Sequence, residues 1–189
     1  MKKALIIHGW DGNPKEPLHN YLKRELETLG HEVTIPVMPN PAVPVISDWI
    51  EKIKSVFDKD FDLIIGHSIG CQGVLRFIEN LESNIIISKV ILIAPWMKLD
   101  MQTIEEEGEE VVEIAKPWME TPIDFDVVKK RVGKVITIFS DNDPYVPLDQ
   151  ADFFKDKLGA QVFIEKEQGH FTESDNFEKL QTETNLLLP

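Results

Sequence analysis

A serine stands at the centre of a glycine-flanked pentapeptide that joins an apolar run to a helical pattern. Residues 66–70 read Gly-His-Ser-Ile-Gly, and they follow the apolar residues 63–65. Small residues at both ends of such a strand-to-helix turn let the chain pack tightly while the serine hydroxyl projects above the sheet. The amide of Ile69 then points at an oxygen that gains negative charge during acyl transfer. The motif therefore predicts that Ser68 is a nucleophile.

A serine hydroxyl is a weak nucleophile and needs a base, which a third group must orient. In chains that carry this turn, the acid follows the serine and the histidine follows the acid. Only one of the five histidines, His170, comes after Ser68. It lies between the last predicted strand and the last predicted helix. The chain order therefore selects His170 as the base.

Two aspartates follow the fifth apolar run and are candidates for the orienting acid. They are Asp141 and Asp143. We favour Asp143, because the proline-containing residues 144–147 stiffen the backbone after it, whereas Asp141 is typical of a residue that caps its own turn. A calcium loop does not fit this segment, because the fifth and sixth positions are not an oxygen ligand and a glycine. No metal ion is expected.

The loop after the first apolar run is the expected source of a second oxyanion donor. Gly9 and Gly12 allow the backbone there to approach a ligand closely. We assign the second donor to the amide of Trp10, with Asp11 as the alternative. The full dinucleotide fingerprint G-x-G-x-x-G is absent from the sequence, and no cofactor is expected.

Apolar runs alternate with helical patterns along the chain. The predicted strands are 4–7, 33–35, 61–65, 89–94, 134–139 and 161–164. The predicted helices are 18–29, about 49–57, about 74–81, 148–158 and about 176–187. This alternation is typical of a parallel sheet with helices on both faces, and it places Ser68 and His170 at the carboxyl edge of the sheet.

The alternation lapses between residues 95 and 125. Five carboxylates fall within residues 105–110 of this segment. A stretch this long without regular structure is either functional or poorly ordered, and we expect an irregular, lid-like insertion at about 95–125 with a solvated acidic face. Large apolar side chains more often belong to a core, but four in this segment are also candidates for a substrate pocket: Trp96, Met97, Trp118 and Met119.

The composition limits the classes of protein that fit. A chain of 189 residues is typical of one domain, and we expect a single domain over 1–189. Its net charge of −13 disfavours nucleic acid as a partner. One cysteine, Cys71, excludes an intrachain disulfide and suits a reducing compartment. The first apolar run is too short for a signal peptide and no run is long enough to span a membrane, so we expect a cytoplasmic monomer or small homo-oligomer.

Taken together, these motifs resemble the small single-domain α/β-hydrolase family that includes retinoblastoma-binding protein nine and its bacterial relatives. The matching segments are 6–12, 38–41, the Trp49 helix, 66–71, 143–147 and 169–171. The resemblance implies an α/β-hydrolase fold with six parallel strands in the order 2-1-3-4-5-6. It also implies a triad of Ser68, Asp143 and His170, and the activity of a serine hydrolase or esterase.

We therefore predict a serine hydrolase that cleaves a small ester-type substrate, either a carboxylic ester or a thioester, through an acyl-enzyme. The alternative is a protein-binding module on a hydrolase scaffold whose esterase activity is incidental. The human member of the family is also named for protein binding, so a protein partner is left open. Hydrolysis of simple esters distinguishes the two, because a pure binding module gives only background turnover.

Overall fold

The apolar runs form a single parallel sheet in the computed structural model, which describes residues 2–175 and 177–181. The strands are β1 (Lys2–Ile7), β2 (His31–Thr34), β3 (Phe61–His67), β4 (Ile87–Ile93), β5 (Val132–Ser140) and β6 (Gln161–Glu165). Their order across the sheet is β2-β1-β3-β4-β5-β6, with every neighbouring pair parallel. The predicted fold class and strand order are confirmed. The loops that follow the six strands therefore all lie at one edge of the sheet, the carboxyl edge.

Helices cover this sheet. They are α1 (Pro17–Thr28), α2 (Ile46–Val56), α3 (Ile69–Glu79), α4 (Met101–Glu107), α5 (Glu109–Glu120), α6 (Phe125–Lys130) and α7 (Asp149–Leu158). Helices α2, α3, α6 and α7 pack side by side in one layer. Within residues 2–175 and 177–181, no helix has both the length and the apolar character needed to cross a lipid bilayer.

The end of β3, next to the site, differs from the prediction. Strand β3 continues to His67, two residues beyond its predicted end, and α3 begins at Ile69. The strand is longer because the ladder continues, with the amide of Ser68 donating to the carbonyl oxygen of Ile93 at 2.9 Å. Ser68 alone therefore makes the turn from strand to helix.

Two helix predictions need correction. Helix α6 was not predicted, and it begins where the Asp124 side chain accepts from the amides of Asp126 and Val127. The last predicted helix, about 176–187, is not formed at residues 177–181. The remainder of that prediction, residue 176 and residues 182–187, lies outside the described residues.

The insertion at 95–125 is regular, so the expectation of an irregular segment is wrong. It contains α4 and α5, which meet at Gly108 with a φ of 128°. Asp100 starts α4 by accepting from the amide of Thr103 at 2.9 Å. Two features made the helical pattern hard to recognise in the sequence. One is the acidic run, and the other is Pro117, which lies inside α5 and lacks an amide donor.

Arg76 of α3 forms hydrogen bonds with the carboxyl-terminal end of α5 and the residues after it. Its side chain is buried, and the guanidinium donates to the carbonyl oxygens of Trp118 at 3.1 Å, Thr121 at 2.7 Å and Pro122 at 3.2 Å. Carbonyls at the end of a helix have no partner within it. The arginine supplies the missing donors, and it thereby fixes the insertion above the carboxyl edge of the sheet.

Replacing Arg76 with lysine is expected to lower the free energy of unfolding by about 2 kcal/mol, because one compact ammonium cannot reach the three buried carbonyls that the guanidinium contacts from two separate nitrogens. Urea denaturation measures the change. The matched control is Arg24→Lys at an exposed position of α1, which is expected to shift stability by less than about 0.5 kcal/mol. Equal stability of Arg76→Lys and the unchanged protein contradicts the role given to this side chain.

Candidate active site

The turn that carries Ser68 is strained and tightly packed. Ser68 has a φ of 52°, a left-handed conformation that side-chain-bearing residues rarely adopt. A Cβ at position 66 would lie 2.7 Å from the Cα of Cys71, and a Cβ at position 70 would lie 2.5 Å from the carbonyl oxygen of Ile7. Only glycine fits at Gly66 and Gly70. Because the two glycines have no Cβ, the start of α3 lies directly against β1 and β3, and the serine hydroxyl faces outward.

The structure brings together the three side chains expected to form a triad. The Nε2 atom of His170 lies 2.9 Å from Oγ of Ser68, and its Nδ1 atom lies 2.8 Å from Oδ2 of Asp143. The Asp143 side chain is 2% exposed and that of His170 is 12% exposed. With Nδ1–H donated to the carboxylate, Nε2 has a lone pair for the serine proton. The geometry therefore allows proton transfer from Ser68 to His170.

The two candidates for the orienting acid, Asp141 and Asp143, make different hydrogen bonds. Asp143 accepts from the amides of Tyr145 at 2.9 Å and Val146 at 3.1 Å through Oδ1, which leaves Oδ2 for the histidine. Asp141 instead accepts from the amide of Glu167 at 2.7 Å. The carboxylate beside His170 is thus held by its own following turn.

Further polar groups, to which the sequence reasoning gave no role, hold the loop that carries His170. Ser140 Oγ accepts from the amide of Gln168 at 2.9 Å, and Asn142 Oδ1 accepts from the amide of Gly169 at 2.8 Å. The amide of His170 itself donates to Asp175 at 2.9 Å. The polar run that begins at the last residue of β5 was the available signal for the first two, because such residues commonly bind nearby backbone groups.

The proposed oxyanion donors come from two elements beside Ser68: Trp10 is in the loop after β1, which lines the same cavity as Ser68, and Ile69 is the first residue of α3. The alternative donor, Asp11, is already engaged, because its amide donates to the carbonyl oxygen of Pro41 at 2.7 Å. The amides of Trp10 and Ile69 have no hydrogen-bond acceptor within the part of the chain that the structure describes. These observations favour Trp10 over Asp11 as the second donor.

A cavity of about 630 Å³ opens onto Ser68. Its large apolar and aromatic lining side chains are Trp10, Trp96, Leu99, Ile104, Val111 and Tyr145. Ile104 belongs to α4 and Val111 to α5, so the insertion forms one wall. These two residues were missed because the segment that contains them was expected to be irregular.

Of the four side chains predicted to line a pocket, only Trp96 does so. Trp118 belongs to the core, where its ring packs edge-on against Trp49 at 5.8 Å and its Nε1–H donates to the carbonyl oxygen of Pro44. Met97 and Met119 are partly buried against the core and are absent from the cavity wall. The prediction relied on side-chain size, which does not show the direction in which a side chain points.

Two further buried histidines lie next to this site. His67 Nε2 donates to the carbonyl oxygen of His170 at 2.9 Å, and His19 Nδ1 donates to that of Asn13 at 2.9 Å. Burial lowers the pKa of both imidazoles, that of His19 to about 4. Since His67 holds the main chain of His170, it is a positioning residue for the loop.

Known proteins resemble this chain over almost its whole length. The sequence model of a family described as serine hydrolase matches residues 4–188. The protein YdeN of Bacillus subtilis is 25% identical over 182 residues, covering 95% of this chain and 90% of that protein. Serine hydrolase RBBP9 of Rattus norvegicus is 23% identical over 187 residues, covering 98% of this chain and 90% of that protein.

Solved structures share the fold. The crystal structure of the ydeN gene product of B. subtilis superposes with a TM-score of 0.85 at 23% identity, covering 99% of this chain and 97% of that one. Est1E from Butyrivibrio proteoclasticus superposes with a TM-score of 0.67 at 18% identity, covering 91% of this chain and 81% of that one. The sheet and its helices are thus those of α/β-hydrolases.

The buried histidine at position 19 is expected to make stability depend on pH. In the unfolded chain an imidazole binds its proton near pH 6.5, but His19 in the fold does so only near pH 4. Between these values the unfolded state holds more protons, so the free energy of unfolding falls as the pH is lowered. The full shift corresponds to about 3 kcal/mol.

The variant His19→Asn tests this, because an asparagine amide can still donate to Asn13 but does not titrate. Urea unfolding between pH 7.5 and 4.5 is expected to show a shallower loss of stability in the variant, by up to about 1.4 kcal/mol per pH unit. Identical slopes for the two proteins show that His19 does not cause the dependence.

Proposed function

The chain belongs to the serine hydrolase family, and from this membership we propose that it hydrolyses a small carboxylic ester through an acyl-enzyme on Ser68. The observation that carries the proposal is the continuous hydrogen-bonded series from Ser68 through His170 to Asp143. This series lies beside a cavity that has one apolar wall. A nucleophile, a base and an orienting acid are thus in contact where a substrate can reach them.

In the first half of the reaction, Ser68 Oγ attacks the ester carbonyl while His170 Nε2 takes the hydroxyl proton. Asp143 keeps the imidazole in the required tautomer and stabilises the imidazolium. The carbonyl oxygen becomes negative and accepts from the amides of Trp10 and Ile69, each contributing about 3 kcal/mol if typical. The imidazolium then donates its proton to the leaving alcohol, and the acyl group remains on the serine.

In the second half, water replaces the alcohol. His170 Nε2 takes a proton from the water, whose oxygen attacks the acyl carbon. The tetrahedral intermediate uses the same two amides, and its collapse breaks the bond to Ser68 Oγ. The proton on His170 returns to the serine oxygen, so the free acid leaves and the enzyme is restored. Ser68, His170 and water thus account for every bond and every proton transfer in the cycle.

The cavity fits the acyl part of a small ester. Its volume of about 630 Å³ lies within the range of about 300–1,000 Å³ that is common for small-molecule sites. Apolar side chains of the insertion and the loop after β4 form one wall, with Trp96, Leu99 and Ile104 among them. An apolar acyl chain would displace water from this wall, which favours its binding.

Charge around the cavity favours simple esters over large anionic thioesters. Four carboxylate side chains take part in the lining: Asp11, Glu16, Glu107 and Glu173. No lysine or arginine is among the described residues that line it. A substrate that carries several phosphate groups, such as an acyl-coenzyme A, meets repulsion from these carboxylates and from the net charge of −13.

The replacement Ser68→Ala is expected to abolish labelling by a fluorophosphonate probe and to lower kcat for p-nitrophenyl butyrate by about 10⁴-fold or more. Circular dichroism and urea unfolding show whether the variant remains folded. The matched control is Ser83→Ala, at an exposed position, which is expected to react like the unchanged protein.

Undiminished labelling of folded Ser68→Ala contradicts the proposed nucleophile. If the unchanged protein is folded but gives only background hydrolysis across an ester and thioester panel, the hydrolase proposal fails. That outcome favours a binding module on a hydrolase scaffold.

Replacing Glu173 with glutamine tests whether the charge of the cavity lining selects the substrate. Removing this carboxylate is expected to raise the ratio of kcat/KM for butyryl-coenzyme A to that for p-nitrophenyl butyrate by about threefold at low salt, and less at high salt. Glu120→Gln removes an exposed carboxylate that is not in the cavity wall and is expected to leave the ratio unchanged. An unchanged ratio in Glu173→Gln shows that the lining charge does not select the substrate.

A further inference from the structure

Two buried imidazole nitrogens beside the Ser68 turn lack a hydrogen-bond partner among the described residues. They are Nε2 of His19 and Nδ1 of His67, in residues that are 0% and 3% exposed. The other nitrogen of each ring donates to a main-chain carbonyl, that of Asn13 or His170. Each unpartnered nitrogen of a neutral ring therefore has a lone pair. Buried acceptors without a donor are uncommon in folded proteins and need an explanation.

The carboxylate of Glu16 lies at the same place. Glu16 precedes α1 and is three residues before His19, which puts both side chains on the first turn of the helix. One ligand atom each from Glu16, His19 and His67 lies within 4.8 Å of the other two. Glu16 Oε1 accepts from the amide of Asn13 at 2.8 Å. Its Oε2 lies 3.6 Å from Nδ1 of His19, beyond hydrogen-bond distance, and makes no hydrogen bond among the described residues.

We propose that Glu16, His19 and His67 bind a divalent transition metal ion. Two imidazoles and one carboxylate form a donor set that suits Zn²⁺. Histidines that bind metals almost always donate their second nitrogen to a carbonyl or carboxylate, and both histidines have such a bond here. The site follows from the fold alone and does not depend on the proposed hydrolysis.

The cavity provides a route for the ion. Glu16 and His67 both belong to its wall, so a fourth coordination position on that side is open to water. Bound Zn²⁺ draws its ligand atoms about 2 Å from itself, so the three side chains move closer together on binding. The ion would link the start of α1 to the end of β3, and its binding therefore stabilises the fold.

Titration of the purified, chelator-treated chain with Co²⁺ and then Zn²⁺ tests the site. We expect one Co²⁺ per chain, a visible absorption band of a low-symmetry cobalt site, loss of that band as Zn²⁺ displaces it, and a rise in Tm with Zn²⁺. Calorimetry with Zn²⁺ gives the affinity. The measurement is independent of catalysis, so its failure leaves the hydrolase proposal standing.

Three variants remove one ligand each and preserve the local hydrogen bonds. His19→Asn can still donate to Asn13, His67→Gln can still donate to the carbonyl of His170, and Glu16→Gln can still accept from Asn13. Each is expected to weaken Zn²⁺ binding at least about tenfold.

The matched control is His31→Asn. His31 is also buried with an unpartnered nitrogen, Nδ1, but it begins β2 at the amino edge of the sheet. This variant is expected to bind Zn²⁺ like the unchanged chain. No binding by the folded unchanged chain, or equal binding by Glu16→Gln and the unchanged chain, overturns the proposal. Glu16 is only half-buried, so its variant keeps the test decisive if a histidine variant does not fold.

Discussion

The close approach of α3 to β1 and β3 is the contact on which the site depends. It exists because Gly66 and Gly70 have no Cβ to meet the neighbouring backbone. The chain must therefore turn within one residue, and Ser68 takes the left-handed conformation. The same turn places the first amide of α3 beside the serine, where the helix N-terminus favours negative charge. The positions of the proposed nucleophile and of the proposed oxyanion donor at Ile69 thus follow from one packing constraint.

Buried histidines hold the neighbouring loops against this turn. His67 donates to the main chain of His170. His8 accepts from the amide of Met38 through Nε2, so its Nδ1–H donates to the carbonyl oxygen of Gly9. Burial lowers the pKa of His8 and His67, which keeps both rings neutral and able to make these bonds near pH 7. The proposed metal ion would use the remaining lone pair of His67 together with that of His19.

The sheet could be predicted from the sequence because its signals are local, and so could the three side chains that the structure brings together. Apolar runs mark strands buried on both faces, and the order Ser68, Asp143, His170 follows from the motif and from the position of one histidine. The pocket wall and the buried bonds could not be predicted in this way. Whether Trp118 faces the core or the cavity, and which carbonyls Arg76 reaches, depends on how distant elements pack.

The most direct test of the account is to trap the acyl-enzyme. The protein is mixed with p-nitrophenyl pivalate, whose bulky acyl group slows the attack of water, then quenched in acid, digested and analysed by mass spectrometry. One pivaloyl group per chain is expected on Ser68, formed as nitrophenol is released. Release of nitrophenol with the pivaloyl group on another residue, or at an equal rate from folded Ser68→Ala, would contradict it.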